Sequence, residues 1–334
     1  INHYLINMIN KILTVVDKNS SKEAMACLTQ FIDWNKAFDR QCPTLGVQSF
    51  IDNGVRPELI PILVNYFQNR RMIVKWHGKL SKEYKLNGGG PQGSTLGILE
   101  YTSQSNDNAD FVEENERYKF VDDLSIIEIL NLITVGITSY NFHNHVASDI
   151  GIDQSFIPSV NINSQKYIQN IEEWTDTKKM KLNQEKSKYM IFNFTYNYQF
   201  ATRLYMNEIL LDCEREMKLL GTIISSNLSW SANTNNLIKK AYARMLMLRT
   251  VYSFGLSLED LIQIYSIYIR CYIEQNCIVW SSSLTIELSD NIERVQKVAL
   301  RICLKDAYIC YKNALSITGL KTLAKRREML SLRF

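Results

Sequence analysis

No stretch of the chain strings together the 18 or more apolar residues that a membrane-spanning helix requires, which argues against a membrane protein. Its seven cysteines (Cys27, Cys42, Cys213, Cys271, Cys277, Cys303, Cys310) include no CxxC pair. Neither a zinc ribbon nor a disulfide framework is therefore indicated, and the reading is buried, reduced thiols in an intracellular protein. The opening INHYLINMINKILTVVDKNS has no basic segment followed by an apolar core, which argues against a signal peptide. An initiating Met is also missing, so the chain reads as a piece of something longer. Internal repeats and low-complexity tracts are absent. What is there, 334 residues that are 46% hydrophobic and 22% charged, is the balance of an ordinary folded protein with room for two or three modules.

The net charge of +4 hides an asymmetry. From Asn235 to Phe334 there are 15 Lys and Arg against 8 Asp and Glu, a balance of +7, so the preceding part is slightly acidic at −3. A basic C-terminal third beside a carboxylate-bearing front suits a nucleic-acid grip attached to a catalytic body.

Local signals predict helices over Pro43–Asn53, ended by Gly54, and over Glu58–Asn69 after Pro57. Arg71–Trp76 and Ser81–Leu86 flank the tip HGK and read as a hairpin, while NGGGPQG (Asn87–Gly93) is loop, with Ser94 placed to cap the next helix. Tyr118–Val121 and Leu124–Ile129 are strands flanking Asp122-Asp123 at a tight turn. A polar stretch over about 134–164 shows little periodicity. Helix Gln165–Lys179 and strands Lys188–Phe194 and Lys218–Ile224 follow, then helices: one with Leu237, Ala241, Met245, Leu248 and Tyr252 on a face, one over Leu258–Val279, and one over Asp290–Leu304. That last helix sets Val295, Val298, Ala299 and Ile302 against Arg294, Lys297, Arg301 and Lys305.

Nucleotidyl transfer needs divalent ions held by carboxylates on a rigid support, from strands distant in sequence but adjacent in space. Two sites fit. In FIDWNKAFD an apolar strand delivers Asp33 at its end, and in FVDD a hairpin presents Asp122 and Asp123 together. Like charges side by side are costly without a cation, so the pairing itself suggests a metal.

Here the sequence resembles a known family, the reverse transcriptases of non-LTR (LINE-like) retrotransposons. FIDWNKAFD is similar to their first catalytic motif, GGGPQGSTLG to the Pro-Gln-Gly loop, and FVDD to the aromatic-x-Asp-Asp hairpin. Trp174…Met180-Lys181-Leu182-Asn183…Lys186 resembles the fourth motif, and Lys218-Leu219-Leu220-Gly221-Thr222…Leu228-Ser229-Trp230 the segment joining palm to thumb. The order is right and the likeness runs through nearly the whole chain. In departure from the pattern, Gly90 precedes Pro91 where an aliphatic residue is usual, Ile98 and Glu100 replace a Pro and an apolar residue, and no basic finger motif precedes Asp33.

The resemblance implies an α+β fold: a right-hand polymerase palm, its antiparallel sheet backed by helices, followed by an all-helical thumb, with truncated fingers. Residues 1–30 would be a remnant leading into the palm, 31–230 the palm with the irregular insertion, and 231–334 the thumb. Asp33, Asp122 and Asp123 would bind two Mg²⁺ ions, with Mn²⁺ as a substitute. Phe38 would lie under the sugar of the incoming dNTP and exclude a 2′-hydroxyl, Pro91, Gln92 and Gly93 would shape the template and nucleotide pocket, and Lys186 could protonate the leaving pyrophosphate. Arg294, Lys297, Arg301 and Lys305 would track the backbone of an RNA template paired with a DNA primer. Two alternatives stay open: a catalytically silent palm that only binds RNA or hybrid, and a different carboxylate–metal enzyme such as a phosphodiesterase, which would hold Asp33 far from Asp122.

Overall fold

The structure is a computed structural model that describes residues 1–17, 25–131, 162–195 and 202–334. His143, His145 and the expected insertion as far as residue 161 lie outside the described residues. Two compact units are present, residues 11–214 and residues 1–10 with 215–334. Among the described residues no helix is long and apolar enough to cross a membrane.

Helix α1 (Asn2–Asp17) leads into the first unit, which continues with β1 (Met25–Ile32), α2 (Pro43–Asp52), α3 (Ile60–Phe67) and four two-residue strands, β2 (Arg71–Met72), β3 (Lys75–Trp76), β4 (Lys79–Leu80) and β5 (Tyr84–Lys85). Then come α4 (Thr95–Gln104), β6 (Arg117–Phe120), β7 (Asp123–Asn131), α5 (Ser164–Lys178), β8 (Lys188–Asn193), β9 (Tyr205–Met206), β10 (Ile209–Leu210) and β11 (Asp212–Cys213). Strands β11, β8, β1, β7 and β6 form one sheet in that order, antiparallel except for the parallel β11–β8 pair.

Strand β1 lies at the centre and is buried from Ala26 to Ile32, so its sequence shows a continuous apolar run instead of alternation. Its two polar interior residues are Thr29 and Gln30, and Gln30 Nε2 donates to the Ser164 carbonyl at 2.9 Å. Leu28, Leu124 and Ile126 from the sheet pack with Tyr101 of α4 and with Ile168 and Ile171 of α5. Burying each Leu or Ile contributes about 1.5–3 kcal/mol. Helix α5 is fastened by Glu128 on β7, whose buried carboxylate accepts from the backbone N–H of Asn163 at 2.7 Å and of Ser164 at 2.8 Å, and from the Ser164 hydroxyl. An acid at a helix N-terminus satisfies orphan donors and complements the dipole.

The second unit opens with the hairpin β12 (Glu216–Leu219) and β13 (Thr222–Ser225) and continues as α6 (Ser231–Ser253), α7 (Leu258–Ile264), α8 (Cys271–Ile273), α9 (Cys277–Trp280), α10 (Ile286–Leu304), α11 (Tyr311–Thr318) and α12 (Leu323–Ser331). The protein is thus α+β, a largely antiparallel sheet backed by helices and followed by a helical C-terminal region. The boundary expected at residue 230 lies inside this second unit, because the hairpin is fastened to helices. Asn233 Oδ1 accepts from the Ile223 N–H at 3.1 Å, and Asn276 Nδ2 donates to the Leu220 carbonyl at 3.0 Å.

Several local expectations need correction. Lys218–Ile224 is no single strand, since Leu220 and Gly221 both have positive φ (46° and 85°) and reverse the chain. Leu258–Val279 is no single helix: it widens to a π-helical stretch over Tyr265–Arg270 and breaks at Asn276, which is left-handed at φ 51°. Ser94 does sit at the start of α4, but its hydroxyl pairs with Tyr66 Oη at 2.7 Å and gives the helix no side-chain cap. Burial describes Cys27, Cys277 and Cys303 only, because Cys213, Cys271 and Cys310 are exposed and Cys42 is half-buried.

Candidate active site at the end of the central strands

Strand β1 ends at Ile32, paired with Leu124 of β7, and the next residue on one strand and the preceding one on the other are Asp33 and Asp123. The ladder alone therefore brings these two carboxylates to the same end of the sheet. Asp122 is adjacent because the β6–β7 hairpin pairs Phe120 directly with Asp123, leaving Val121-Asp122 as the two-residue turn. The turn thus lies one residue earlier than the Asp122-Asp123 turn expected from the sequence. Val121 adopts φ +58°, a conformation that a β-branched residue rarely takes. The strain, of order 1–3 kcal/mol, is the cost of a turn tight enough to present both acids.

Asp33 is held on three sides by the segment Lys181–Ser187. Its N–H donates to Ser187 Oγ at 3.0 Å, its carbonyl accepts from the Asn183 N–H at 2.9 Å, and Trp34 pairs with Leu182 in an isolated bridge. Trp34 also packs against Trp174 of α5, with ring centroids 5.5 Å apart and the planes tilted by 60°. Burial raises the Asp33 carboxyl above the usual carboxylate range; Lys186 and a side-chain hydrogen bond from Asn183 pull it back, and Asp122 pushes it further up. Asp123 is pushed up to about 6, first by burial and then by Asp122 and Asp33. Asp122 thus acts on both of the other acids, and Oδ2 of Asp33 is buried without a hydrogen-bond partner. Among the described residues, however, no three Asp, Glu, His or Cys side chains stand as a ready-made metal-ligand cluster.

The glycine-rich loop is tied to the turn after Asp33. The N–H groups of Gly89 and Gly90 donate to the carbonyls of Gln41 at 2.8 Å and Phe38 at 2.7 Å, and Gln92 Nε2 donates to Asp39 Oδ1 at 2.8 Å. Arg70 donates to the Gly89 carbonyl from the other side. Glycine is required by close approach at Gly97, where a Cβ would lie 2.5 Å from the Pro91 carbonyl oxygen. Phe38 is half-buried, its ring 4.9 Å from that of Tyr101 beneath it. Asp33, Phe38, Pro91, Gln92, Gly93, Asp122 and Asp123 thus all belong to the first unit.

Arg294, Lys297, Arg301 and Lys305 belong to the second. Three of them lie over aromatic rings: Lys297 over Tyr311 at 5.2 Å, Arg301 over Tyr308 at 5.2 Å and Lys305 over Tyr252 at 4.2 Å. Lys305 follows the end of α10 rather than continuing its face.

Sequence reasoning missed three groups here. Ser187 and Arg70 position Asp33 and the glycine loop through backbone atoms, a role that no residue pattern announces. Glu100 was noticed only as a polar residue in an apolar place. It is fully buried, with neither carboxylate oxygen partnered, and a Cβ on Gly46 would lie 2.4 Å from its Oε1. Burial pushes this carboxyl up to about 7, with Arg70 pulling it down. An acid whose folded value exceeds its ordinary value of 4.5 weakens the fold as pH rises from about 4.5, levelling off above about 7. Glu100→Gln is accordingly expected to leave stability near pH 4 almost unchanged and to raise it at pH 8 by up to about 3 kcal/mol. Urea unfolding of both proteins at the two pH values checks this, and equal gains at both would refute it.

No family model matches the chain. It is 24% identical over 304 residues to the "Probable RNA-directed DNA polymerase from transposon X-element" of Drosophila melanogaster, a match covering 89% of this chain and 30% of that protein. The chain is thus similar to a transposon-borne RNA-directed DNA polymerase. A second such relative, the "Probable RNA-directed DNA polymerase from transposon BS" of the same organism, is 23% identical over 230 residues, 67% of this chain and 23% of that protein. The chain therefore spans less than a third of the length of either transposon polymerase. Among solved structures, apo telomerase from Candida tropicalis aligns with 99% of this chain and 49% of its own, at 12% identity and a TM-score of 0.46.

Proposed function

We propose that the chain carries the catalytic centre of an RNA-directed DNA polymerase, which extends the 3′-hydroxyl of a DNA primer with dNTPs on an RNA template. The observation that carries this reading is the meeting of Asp33, Asp122 and Asp123 at one end of β1 and β7, where Asp122 raises both of the other carboxyls. It also counts against a phosphodiesterase-like enzyme with its acids apart.

The side chains suit Mg²⁺ in kind. They are hard carboxylate oxygens, one of them a buried and unpartnered oxygen of Asp33, in a place where negative charge is penalised. Asp33 and Asp122 would be the principal ligands, with Asp123 beside them. The chemistry supplied by a bound Mg²⁺ pair, with Mn²⁺ as a substitute, is activation of the primer oxygen and neutralisation of charge on the leaving pyrophosphate. The chain's own residues do the rest. Ser187 and Asn183 fix the backbone of Asp33, so one carboxylate is held rigidly against the sheet. Phe38, supported by Tyr101, offers a flat apolar surface for the sugar, where a 2′-hydroxyl would be excluded. Gln92, steadied by Asp39, and the bare backbone of Gly93 border the pocket for template and nucleotide. Lys186, exposed and close enough to influence Asp33, can give a proton to the departing pyrophosphate. Arg294, Lys297, Arg301 and Lys305 would meet phosphates of the hybrid.

A second reading, a silent palm that binds RNA or hybrid without chemistry, is favoured by the lack of a ready-made ligand cluster among the described residues. Incorporation of dTTP on poly(rA)/oligo(dT) with and without Mg²⁺ separates the two. Mg²⁺-dependent extension supports the polymerase; salt-sensitive hybrid binding without extension supports the silent palm; neither sinks both.

A further inference from the structure

The segment between α3 and the glycine loop has no part in the chemistry above, yet its surface is unusual. It folds as a ribbon in which β2 pairs with β5 and β3 with β4. Every residue from Arg71 to Leu80 and from Lys82 to Lys85 is exposed. From Arg70 to Lys85 there are six basic residues (Arg70, Arg71, Lys75, Lys79, Lys82, Lys85) against the single acid Glu83, and Arg71 engages that acid at 2.7 Å. Among these charges stand Trp76, 72% exposed, and Tyr84, 46% exposed.

Each aromatic has a lysine beside it. Trp76 is the direct cross-strand partner of Lys79, so the two share a face of the ribbon. Lys82 Nζ lies 5.3 Å from the centre of the Tyr84 ring. Rings for bases to stack on, next to ammonium groups for the intervening phosphates, are what a single-stranded nucleic acid requires. A protein partner fits less well. Its apolar surface would bury lysines without counter-charges, and strands of two residues offer little edge for strand addition. The base of the ribbon is joined to the candidate active site, since Arg70 donates to the carbonyls of Gly88 and Gly89 and accepts, through its own carbonyl, from the Leu86 N–H at 2.9 Å.

We propose that the β2–β5 ribbon is a docking surface for single-stranded nucleic acid, with bases on Trp76 and Tyr84 and phosphates on Lys75, Lys79, Lys82 and Lys85. Only the identity of that strand, the unpaired template ahead of the glycine loop, rests on the polymerase reading.

The test is fluorescence anisotropy of the full 334-residue chain with a labelled, unstructured RNA of roughly 15 nucleotides, without Mg²⁺ or dNTPs, across about 50 to 300 mM salt. Changing Lys75, Lys79, Lys82 and Lys85 together to Gln should weaken binding tenfold or more and lower the slope of log Kd against log salt by about 3, at about 0.7 per lost phosphate contact. Trp76→Ala should weaken binding about tenfold and leave the slope unchanged. Changing the same four lysines to Arg should preserve affinity and slope, which separates lost contacts from a damaged fold. An unchanged affinity and slope in the Gln variant would overturn the proposal and point to a protein partner or bare solvent. So would failure of the unaltered chain to bind RNA at the lowest salt. Ribbon-dependent RNA binding without dTTP incorporation would leave this inference standing and remove the polymerase reading. Incorporation with ribbon-independent binding would do the reverse.

Discussion

Replacing Asp122 and Asp123 together with Asn is expected to abolish Mg²⁺-dependent dTTP incorporation, a loss of at least about 1000-fold, while hybrid binding stays within a few-fold of the unaltered chain. The size follows from what the two residues supply. Two negative charges vanish from the place where neighbouring acids already raise Asp33 and Asp123, and the loss of about 4 kcal/mol of transition-state stabilisation is about 1000-fold in rate. Asn keeps the size and the turn-forming habit of Asp, so the strained Val121-Asp122 turn is not expected to unfold. The double variant should even be slightly more stable without Mg²⁺, because the like-charge repulsion at Asp123 and Asp33 is relieved. Single-nucleotide incorporation and thermal unfolding, measured side by side, check both halves. Retained incorporation would move the chemistry elsewhere.

Tyr101→Ala is expected to destabilise the first unit by about 3–5 kcal/mol and to cut incorporation by more than the fraction of folded protein explains. Tyr101 is one of the largest fully buried side chains, 1% exposed, in the cluster that joins sheet, α4 and α5. Truncating an aromatic there removes its burial energy and leaves a cavity. Phe38 rests on its ring, so the proposed sugar platform would lose its floor. Tyr101→Phe separates the two contributions. The Tyr101 hydroxyl is buried without a hydrogen-bond partner, so its removal should cost nothing and can stabilise. Denaturant midpoints of the three proteins, with incorporation measured where each is fully folded, decide it. A Phe variant as weak as Ala would show that the hydroxyl matters after all.

Much of this was legible before any coordinates. Pro43, Gly54 and Pro57 marked helix ends because proline and glycine restrict or free φ wherever they stand. The three acids could be grouped because two short motifs each place carboxylates at a strand end, and the β1–β7 register then brings those ends together. The errors have a common cause. Leu220, Val121 and Asn276 take left-handed conformations, which local propensity does not assign to Leu or Val and which tertiary contacts impose. Ser94 had the right residue type for a cap, but Tyr66, distant in sequence, competed for its hydroxyl. Glu100 looked like a departure from a pattern, and only its burial shows what it costs the fold.

The ribbon has one more consequence, for how the chain can be divided. Five exposed basic residues, Arg71, Lys75, Lys79, Lys82 and Lys85, make the ribbon an expected early site of tryptic cleavage among the described residues. A cut there would leave Asp33 and β1 on one fragment and the Pro91–Gln92–Gly93 loop, Asp122, Asp123 and the neighbouring strands β7 and β8 on the other. Since β1 is paired on both sides by strands of the second fragment, the two pieces should stay together after nicking and co-elute on gel filtration. The same topology makes the loop between Trp76 and Lys79 a natural split point for a two-piece complementation assay, in which each half carries part of one centre and neither is complete until β1 slots back between its neighbours.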